Sequence, residues 1–305
     1  MNKQLSLFKD TAQAKPFLKW AGGKTQLIGQ ISEHMPDNMD SVDTYVEPFI
    51  GSGAVMFWIL SRYPNIKKVV INDVNFDLIN IYNVLKSNVD DLVSVLQDLS
   101  DDYYALTDSE GQKEFFMQRR EEYNNRQQEM GNVRNAALFI FLNRTCFNGL
   151  YRVNSKNKFN VPFGRYAHPK ICDEQNLRAC HEAFCALDIF CGDFSATEKY
   201  ASDKAFFYFD PPYKPLSATS SFNSYTKDDF NDEEQVRLKE FCDLISDRGA
   251  KFMLSNSDPR SVNPENDFFD RIYADYHISR VDAKRNINSK GDKRGAIKEL
   301  LITNY

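Results

Sequence analysis

The sequence predicts an α/β fold, a mostly parallel sheet covered by helices on both faces, with a second, mainly helical segment inserted into it. Three observations carry this prediction. Short apolar runs recur at lengths that suit buried strands. Helical patterns lie between many of them. Between about residues 87 and 180 the alternation stops, and helix follows helix. The chain has 305 residues, 42% hydrophobic and 27% charged, which fits one large globular domain or two smaller ones.

In chain order, Thr44–Val46 and Lys68–Ile71 are continuous apolar runs, as strands buried on both faces require, and helical patterns Ala54–Tyr63 and Phe76–Lys86 follow them in turn. The insertion reads as helices Val89–Leu99, Glu114–Asn124 and Arg134–Asn143, then an irregular polar stretch. Within it, TCFNGLYRVNSKNKFNVPFGRY (145–166) reads as an extended hairpin. Tyr151–Asn154 and Phe159–Val161 would be its arms, with Ser155-Lys156-Asn157-Lys158 at the tip, where Asn can adopt a left-handed turn conformation. The sheet then resumes with Ala205–Phe209, a helix Asp232–Ser246, and the runs Lys251–Leu254, Arg271–Ile278 and Leu300–Ile302. The expected division is 1–86 plus 181–305 for the sheet domain and 87–180 for the insertion.

Several classes are set aside early. No apolar run is long enough to cross a bilayer, and MNKQLSLFKDTAQA carries no signal-peptide pattern, so a cytoplasmic protein is expected. Six cysteines in a chain this long are not a disulfide framework. Four of them crowd into 172–191 beside His181, but no CxxC or HxxxH pair is present, so buried thiols are expected and no metal. Net charge is −5, which argues against a uniformly basic nucleic-acid binder. Its distribution says more: residues 112–178 hold twelve Lys and Arg against six Asp and Glu, and 280–298 hold seven against two. These are either solvated faces or two basic surfaces for a phosphate backbone.

Three motifs carry chemistry. PFLKWAGGKTQL (16–27) contains GGKT, yet a phosphate-binding loop needs a glycine where Leu18 stands, so a nucleotide hydrolase is excluded. In VEPFIGSGAV (46–55), Phe49-Ile50-Gly51-Ser52-Gly53 leads from a strand into a helix, and two glycines let the backbone approach a ligand. Met56 replaces the third glycine of a dinucleotide fingerprint. The next strand ends in Asp73, about twenty residues on, where a carboxylate can accept from both hydroxyls of a ribose. Asp73 can equally cap a helix. Such a pair suits a nucleoside without a diphosphate, and S-adenosylmethionine fits that description. Finally, in AFFYFDPPYKPL (205–216) an apolar strand ends at Asp210-Pro211-Pro212-Tyr213. The prolines have fixed backbone angles and no N–H, so the segment presents acceptors beside an aromatic plane. That arrangement suits a flat base with an exocyclic amino group; a rigid turn closing a strand is the plainer reading.

FLKWAGGK, EPFIGSGAV, IND, RTCFNGLYRVN…FNVPFGRY, CGDF, FDPPYKPLSATSSFNSY, LSNSD and KELLITNY run in one order from about residue 16 to the C-terminus. With these blocks the chain resembles the Dam family of adenine-specific DNA methyltransferases, nearest the branch with restriction-system enzymes. The resemblance implies a Rossmann-like class I methyltransferase with an inserted DNA-recognition domain, S-adenosyl-L-methionine as cofactor, double-stranded DNA as partner and GATC as target. It places Trp20, Lys24, Asp73 and Asp210 against the cofactor, lined by Gly22, Gly23, Phe49, Gly51 and Gly53. Lys24 would pair with its methionine carboxylate, Asp193 would accept from its adenine amino group, and Phe194 would stack on that ring.

By the same resemblance, Asp210 and the Pro211 carbonyl accept the two amino hydrogens of the target adenine in the rigid Pro211-Pro212 frame. Tyr213 stacks on the base, which must leave the duplex to reach them. Arg152 matches a major-groove arginine suited to guanine's two acceptors. Leu150 and Tyr166 match positions near the recognised bases, Asn148 and Lys19 are further candidates, and Arg165 would meet phosphate or a flanking base. The tip SKNK departs from relatives that often carry a glycine there. Other readings are methylation of RNA or of a protein glutamine, or a non-catalytic DNA-binding regulator. A restriction endonuclease acting on the same site is an expected functional partner, without direct contact.

Overall fold

A computed structural model of the chain describes residues 14–20, 22–215, 230–283 and 297–305. Most of the basic stretch 280–298 and the LSATSSFNSY part of the quoted blocks lie outside the described residues. Among the described residues seven strands form: β1 (Thr44–Glu47), β2 (Lys68–Asp73), β3 (Leu187–Cys191), β4 (Ala205–Phe209), β5 (Lys251–Ser257), β6 (His277–Ala283) and β7 (Ile297–Thr303). They belong to one mixed sheet ordered β3-β2-β1-β4-β5-β7-β6. β1 is parallel to β2 and β4, and β4 to β5. β7 runs antiparallel between β5 and β6. This is the mostly parallel α/β architecture that the sequence predicts, and it is consistent with a class I methyltransferase fold.

The described helices are α1 (Ile28–Glu33), α2 (Ala54–Arg62), α3 (Phe76–Ser87), α4 (Val89–Ala105), α5 (Ser109–Asn124), α6 (Val133–Thr145), α7 (Glu174–Phe184), α8 (Asp232–Asp247) and α9 (Phe268–Ile272). Several start on side-chain caps, which satisfy amides that have no helical partner. Asn75 accepts from Leu78 N, Asp108 from Glu110 N and Gly111 N, Asn132 from Asn135 N, and Asn231 from Glu234 N. Three acidic residues in the first turn of α8 also complement its dipole. No described helix is long and apolar enough to cross a membrane.

The described chain divides into two compact units. One takes the described residues up to Gly23, with Gly51–Pro64 and Asp73–Gly192. In it α6 packs on α3, α4 and α5, and α7 packs on α3 and α4. The run Ala136–Leu142 of α6 is buried all round, as a central helix must be. The other unit takes Lys24–Ile50, Asn65–Asn72 and the described residues from Asp193 on. Its centre is β4, whose five residues are all buried. The winding reverses between β1 and β4, and in open α/β sheets ligands bind beyond the carboxyl ends of such strands.

Three expectations need correction. The run Arg271–Ile278 is not one strand: its start belongs to α9, and the strand begins at His277. Phe269 and Tyr273 are buried four residues apart, which is a helical spacing. The polar stretch after α6 holds α7, where Leu177, Cys180 and Phe184 are buried on one face among charged residues. β3 went unread because its apolar run is only five residues long and is interrupted by Asp188, although Leu187, Ile189, Phe190 and Cys191 are apolar. The hairpin is present but slight. Val153 bridges Phe159 and Cys146 bridges Phe163, with no longer ladder. At its tip Asn157 has φ 57°, and the Asn154 side chain accepts from the amides of Lys156 and Lys158.

Candidate active site

In the sheet-centred unit, Asp210 follows the buried strand β4, and its carboxylate meets the Lys24 ammonium, with Nζ 2.6 Å from Oδ1. Lys24 is 5% exposed and the Asp210 side chain 22%, so the ammonium is out of water while the carboxylate keeps an open edge. Burial raises the Asp210 carboxyl above its ordinary range, while Lys24, and then a hydrogen bond from Ser255 Oγ, pull it back. Lys24 Nζ also lies 4.6 Å from the centroid of the Tyr213 ring. The Tyr213 hydroxyl donates to Glu299 Oε2 at 2.6 Å.

The turn after Asp210 is held from below by buried polar side chains of α8 and β5. Gln235 Nε2 donates to the Pro212 carbonyl at 3.1 Å. Asn256 Oδ1 accepts from Lys214 N at 3.1 Å, while its Nδ2 donates to Gln235 Oε1. Ser257 Oγ donates to Lys214 O at 2.7 Å. Gln235 and Asn256 are fully buried, so each bond forms without competition from water. The prolines fix the angles of the turn, and these bonds fix where it sits.

Also in this unit, Asp193 and Phe194 have partners that the sequence did not suggest. Both Asp193 oxygens accept from Arg237, at 3.0 and 2.6 Å, and Oδ1 also caps a short helix at Ser195 N. The Arg237 hydrogen bonds hold the Asp193 carboxyl down at about 2. Phe194 is 2% exposed, covered by Phe49, Phe230 and Phe241, with the Arg237 guanidinium over its ring. The half-exposed rings of this cluster are Phe49 and Phe230.

In the helical unit, the glycine turn and Asp73 come together. Gly51 has φ +47°, a region that suits glycine, and a Cβ there would sit 3.1 Å from Trp20 Nε1. Gly53 lies in the same turn, and Gly22 and Gly23 follow Trp20 closely, with Gly23 N donating to Trp20 O. Asp73 Oδ2 accepts from Gly51 N at 3.2 Å and Oδ1 from Asn75 N at 2.9 Å. Burial raises the Asp73 carboxyl to about 6 against the pull of those amides. The N-cap of α3 is Asn75 itself, so Asp73 is not the capping residue there. Trp20 stacks on Tyr151 at 5.7 Å, and Tyr151 on Phe139 at 4.9 Å, all three planes nearly parallel.

The recognition candidates gather in this unit too. Asn143, 1% exposed in α6, accepts from Lys19 N and donates to Lys19 O and to Gly149 O. Lys19 Nζ lies 4.5 Å over the Tyr166 ring, and the Tyr166 hydroxyl accepts from Asn148 N at 2.8 Å. Lys19, Asn148 and Tyr166 thus form one surface cluster, with the half-buried Leu150 beside it. Arg152 is exposed on the hairpin, its Nε donating to Asn160 Oδ1 at 2.7 Å. Arg165 is exposed with φ 53°.

Sequence reasoning missed Asn143, Tyr151, Gln235, Asn256 and Glu299. Two left a signal: Asn143 follows directly on the apolar run Ala136–Leu142, and Asn256 is polar within a buried strand. Among the described residues no group of three or more His, Cys, Asp or Glu is gathered to hold a metal.

Comparison with known proteins agrees with this arrangement of motifs. Residues 20–287 match the family described as D12 class N6 adenine-specific DNA methyltransferase. The chain is 50% identical over 296 residues to Type II methyltransferase M.MjaIII of Methanocaldococcus jannaschii, covering 96% of this chain and 100% of that protein. It is 39% identical to Type II methyltransferase M1.LlaDCHI of Lactococcus lactis subsp. cremoris, over 98% of each. To the DNA adenine methylase of Escherichia coli (strain K12) it is 35% identical, over 94% of each. An acceptor turn beyond a buried strand, a glycine turn backed by a carboxylate and a match spanning most of the chain lead to one conclusion: the chain belongs to the D12 class of N6 adenine-specific DNA methyltransferases.

Proposed function

We propose that this methyltransferase takes its methyl group from S-adenosyl-L-methionine and transfers it to N6 of an adenine extruded from GATC in duplex DNA. The observation that carries the reading is the pairing of Asp210 with the buried Lys24 at the end of β4. A buried carboxyl tends to take up a proton and stop accepting hydrogen bonds. Lys24 opposes this and favours the charged acceptor that an amino group needs. Lys24 therefore acts as counter-ion to Asp210, beside the pairing with a methionine carboxylate that the resemblance implies.

When bound, the cofactor supplies a methyl group on a positively charged sulfur. The residues around it do the rest. Asp210 and the Pro211 carbonyl accept the two amino hydrogens, draw the nitrogen lone pair out of the ring system and stabilise the positive charge that develops there. Pro212, held by Gln235, keeps this edge rigid. Tyr213 stacks on the base. Asp73 fits the ribose diol because its ionised oxygens are acceptors already oriented by the Gly51 and Asn75 amides. Trp20, Gly22, Gly23, Gly51, Gly53 and the half-exposed Phe49 complete the cofactor set. Phe194 supports that set through its contact with Phe49, and Asp193, next to it in the chain, is held as an ionised acceptor by Arg237.

Residues 87–180 serve as the DNA-recognition segment, with Lys19, Asn148, Leu150, Arg152, Arg165 and Tyr166 toward DNA, and 1–86 with 181–305 as the catalytic domain. Two relatives bear the name Type II methyltransferase, which supports modification within a restriction system, acting in the cytoplasm beside an endonuclease of the same site.

The test is incubation with labelled S-adenosylmethionine and duplexes that differ only in GATC, followed by methylation-sensitive cleavage. Label should enter only the GATC duplex, and Asp210→Ala should lose at least about a hundredfold in rate. Incorporation indifferent to GATC would refute the target, and a variant as fast as the parent would refute the mechanism.

A further inference from the structure

The geometry points to Glu299 as a positioning residue that fixes the plane of the Tyr213 ring, and so sets how firmly the extruded adenine is held. The inference rests on the reading of Tyr213 as the stacking ring. Tyr213 follows two prolines on an irregular segment, and a backbone turn alone does not stop a tyrosine ring from rotating about its side-chain bonds. Two charges of opposite sign do. Lys24 Nζ sits 4.6 Å from the ring centroid, and Glu299 Oε2 accepts from the hydroxyl at 2.6 Å. A face contact and an edge contact together define a plane.

Glu299 reaches this place because β7 is inserted antiparallel between β5 and β6, with Glu299 opposite Ser257 on β5 and Val281 on β6. Ser257 in turn holds the Lys214 carbonyl, next to Tyr213 in the chain. The register of β7 thus aligns the carboxylate with the turn. Burial, followed by the charges of Asp210 and Glu299, pushes the Tyr213 hydroxyl well above its usual range, so it remains a neutral donor. Glu299 touches neither base nor cofactor in this account and acts only through the ring.

The experiment compares the parent with Glu299→Ala, Glu299→Gln, Tyr213→Phe and the double variant Tyr213→Phe/Glu299→Ala. Single-turnover methyl transfer to a duplex with one GATC site is measured with labelled S-adenosylmethionine. A second readout is the fluorescence of 2-aminopurine placed at the target adenine. Glu299→Ala should slow transfer about ten- to hundredfold, the scale of a hydrogen bond to a charged group, and change the 2-aminopurine signal. Glu299→Gln, whose amide oxygen still accepts, should stay within about threefold. Tyr213→Phe should reproduce the slowdown from the other end of the bond, and adding Glu299→Ala to it should cost less than about twofold more.

A parent-like rate in Glu299→Ala, or effects that multiply in the double variant, would overturn the inference. If Glu299→Ala does not fold, Tyr213→Phe carries the test from the other end of the bond, and a parent-like rate in that variant would overturn the inference. A parent that transfers no methyl to GATC duplexes defeats the proposed function instead. An active parent indifferent to Glu299 defeats this inference alone.

Discussion

Replacing Asp73 by Asn should change how stability depends on pH, by an amount that follows from its environment. Burial raises the Asp73 carboxyl from an ordinary 3.8 to about 6. The folded protein therefore holds this proton more tightly than the unfolded chain does. Stability from this group is fully present at pH below 3.8 and is lost as pH rises toward 6, because the unfolded carboxyl ionises first. The whole span corresponds to about 3 kcal/mol at 1.36 kcal/mol per pH unit, an upper figure because the side chain is partly exposed. Asn cannot titrate. It also loses one acceptor for the Gly51 and Asn75 amides, at a cost of roughly 1–2 kcal/mol that does not vary with pH.

The quantity to measure is the difference in unfolding free energy between variant and parent, by urea denaturation at about pH 4 and about pH 7.5. The difference should move in favour of Asp73→Asn by up to about 3 kcal/mol from acid to neutral pH. A constant difference across that range would refute the reasoning. The same charge bears on the ligand: S-adenosylmethionine affinity of the parent should fall about tenfold per pH unit below 6, and this dependence should vanish in Asp73→Asn.

Lys24→Met removes the cation beside Asp210 and leaves a buried carboxylate unpaired, a state costing roughly 3–5 kcal/mol unless the group takes up a proton. The Asp210 carboxyl should rise further, so methyl transfer should be weak at neutral pH and recover toward alkaline pH; a pH–rate profile like the parent's would contradict this. Arg152→Ala should lose roughly 1–3 kcal/mol of discrimination at one guanine, read from kcat/KM on duplexes changed at single base pairs. Gly149→Ala places a Cβ 2.4 Å from Lys19 Cδ at φ +61°, so the Lys19 cluster must shift. DNA binding should weaken by at least about tenfold while cofactor affinity stays within about twofold, as binding titrations would show.

Much of the fold was legible because its signals are local. Continuous apolar runs mark β1, β2, β4 and β5, and helical spacing of apolar residues marks α3 to α6, all within a few residues of each feature. The β3 and α7 elements were not legible, because one is a five-residue run interrupted by Asp188 and the other hides its few buried apolar residues among charges. At the site, the acceptor turn 210–213 and the glycines of 49–53 could be read from residue type, since proline and glycine restrict or widen backbone angles wherever they stand.

The sequence by itself determined the strand–helix alternation, the rigid turn at Asp210 and the family motifs in their order. Only the tertiary structure decided the partners. Tyr213 and Glu299 are 86 positions apart, Lys19 and Asn143 124 apart, and Asp193 and Arg237 44 apart. Such pairings depend on which strands become neighbours and in what register, above all on β7 entering between β5 and β6. Backbone preference acts over a few residues, whereas register is settled when a whole face is buried, so no local pattern encodes it.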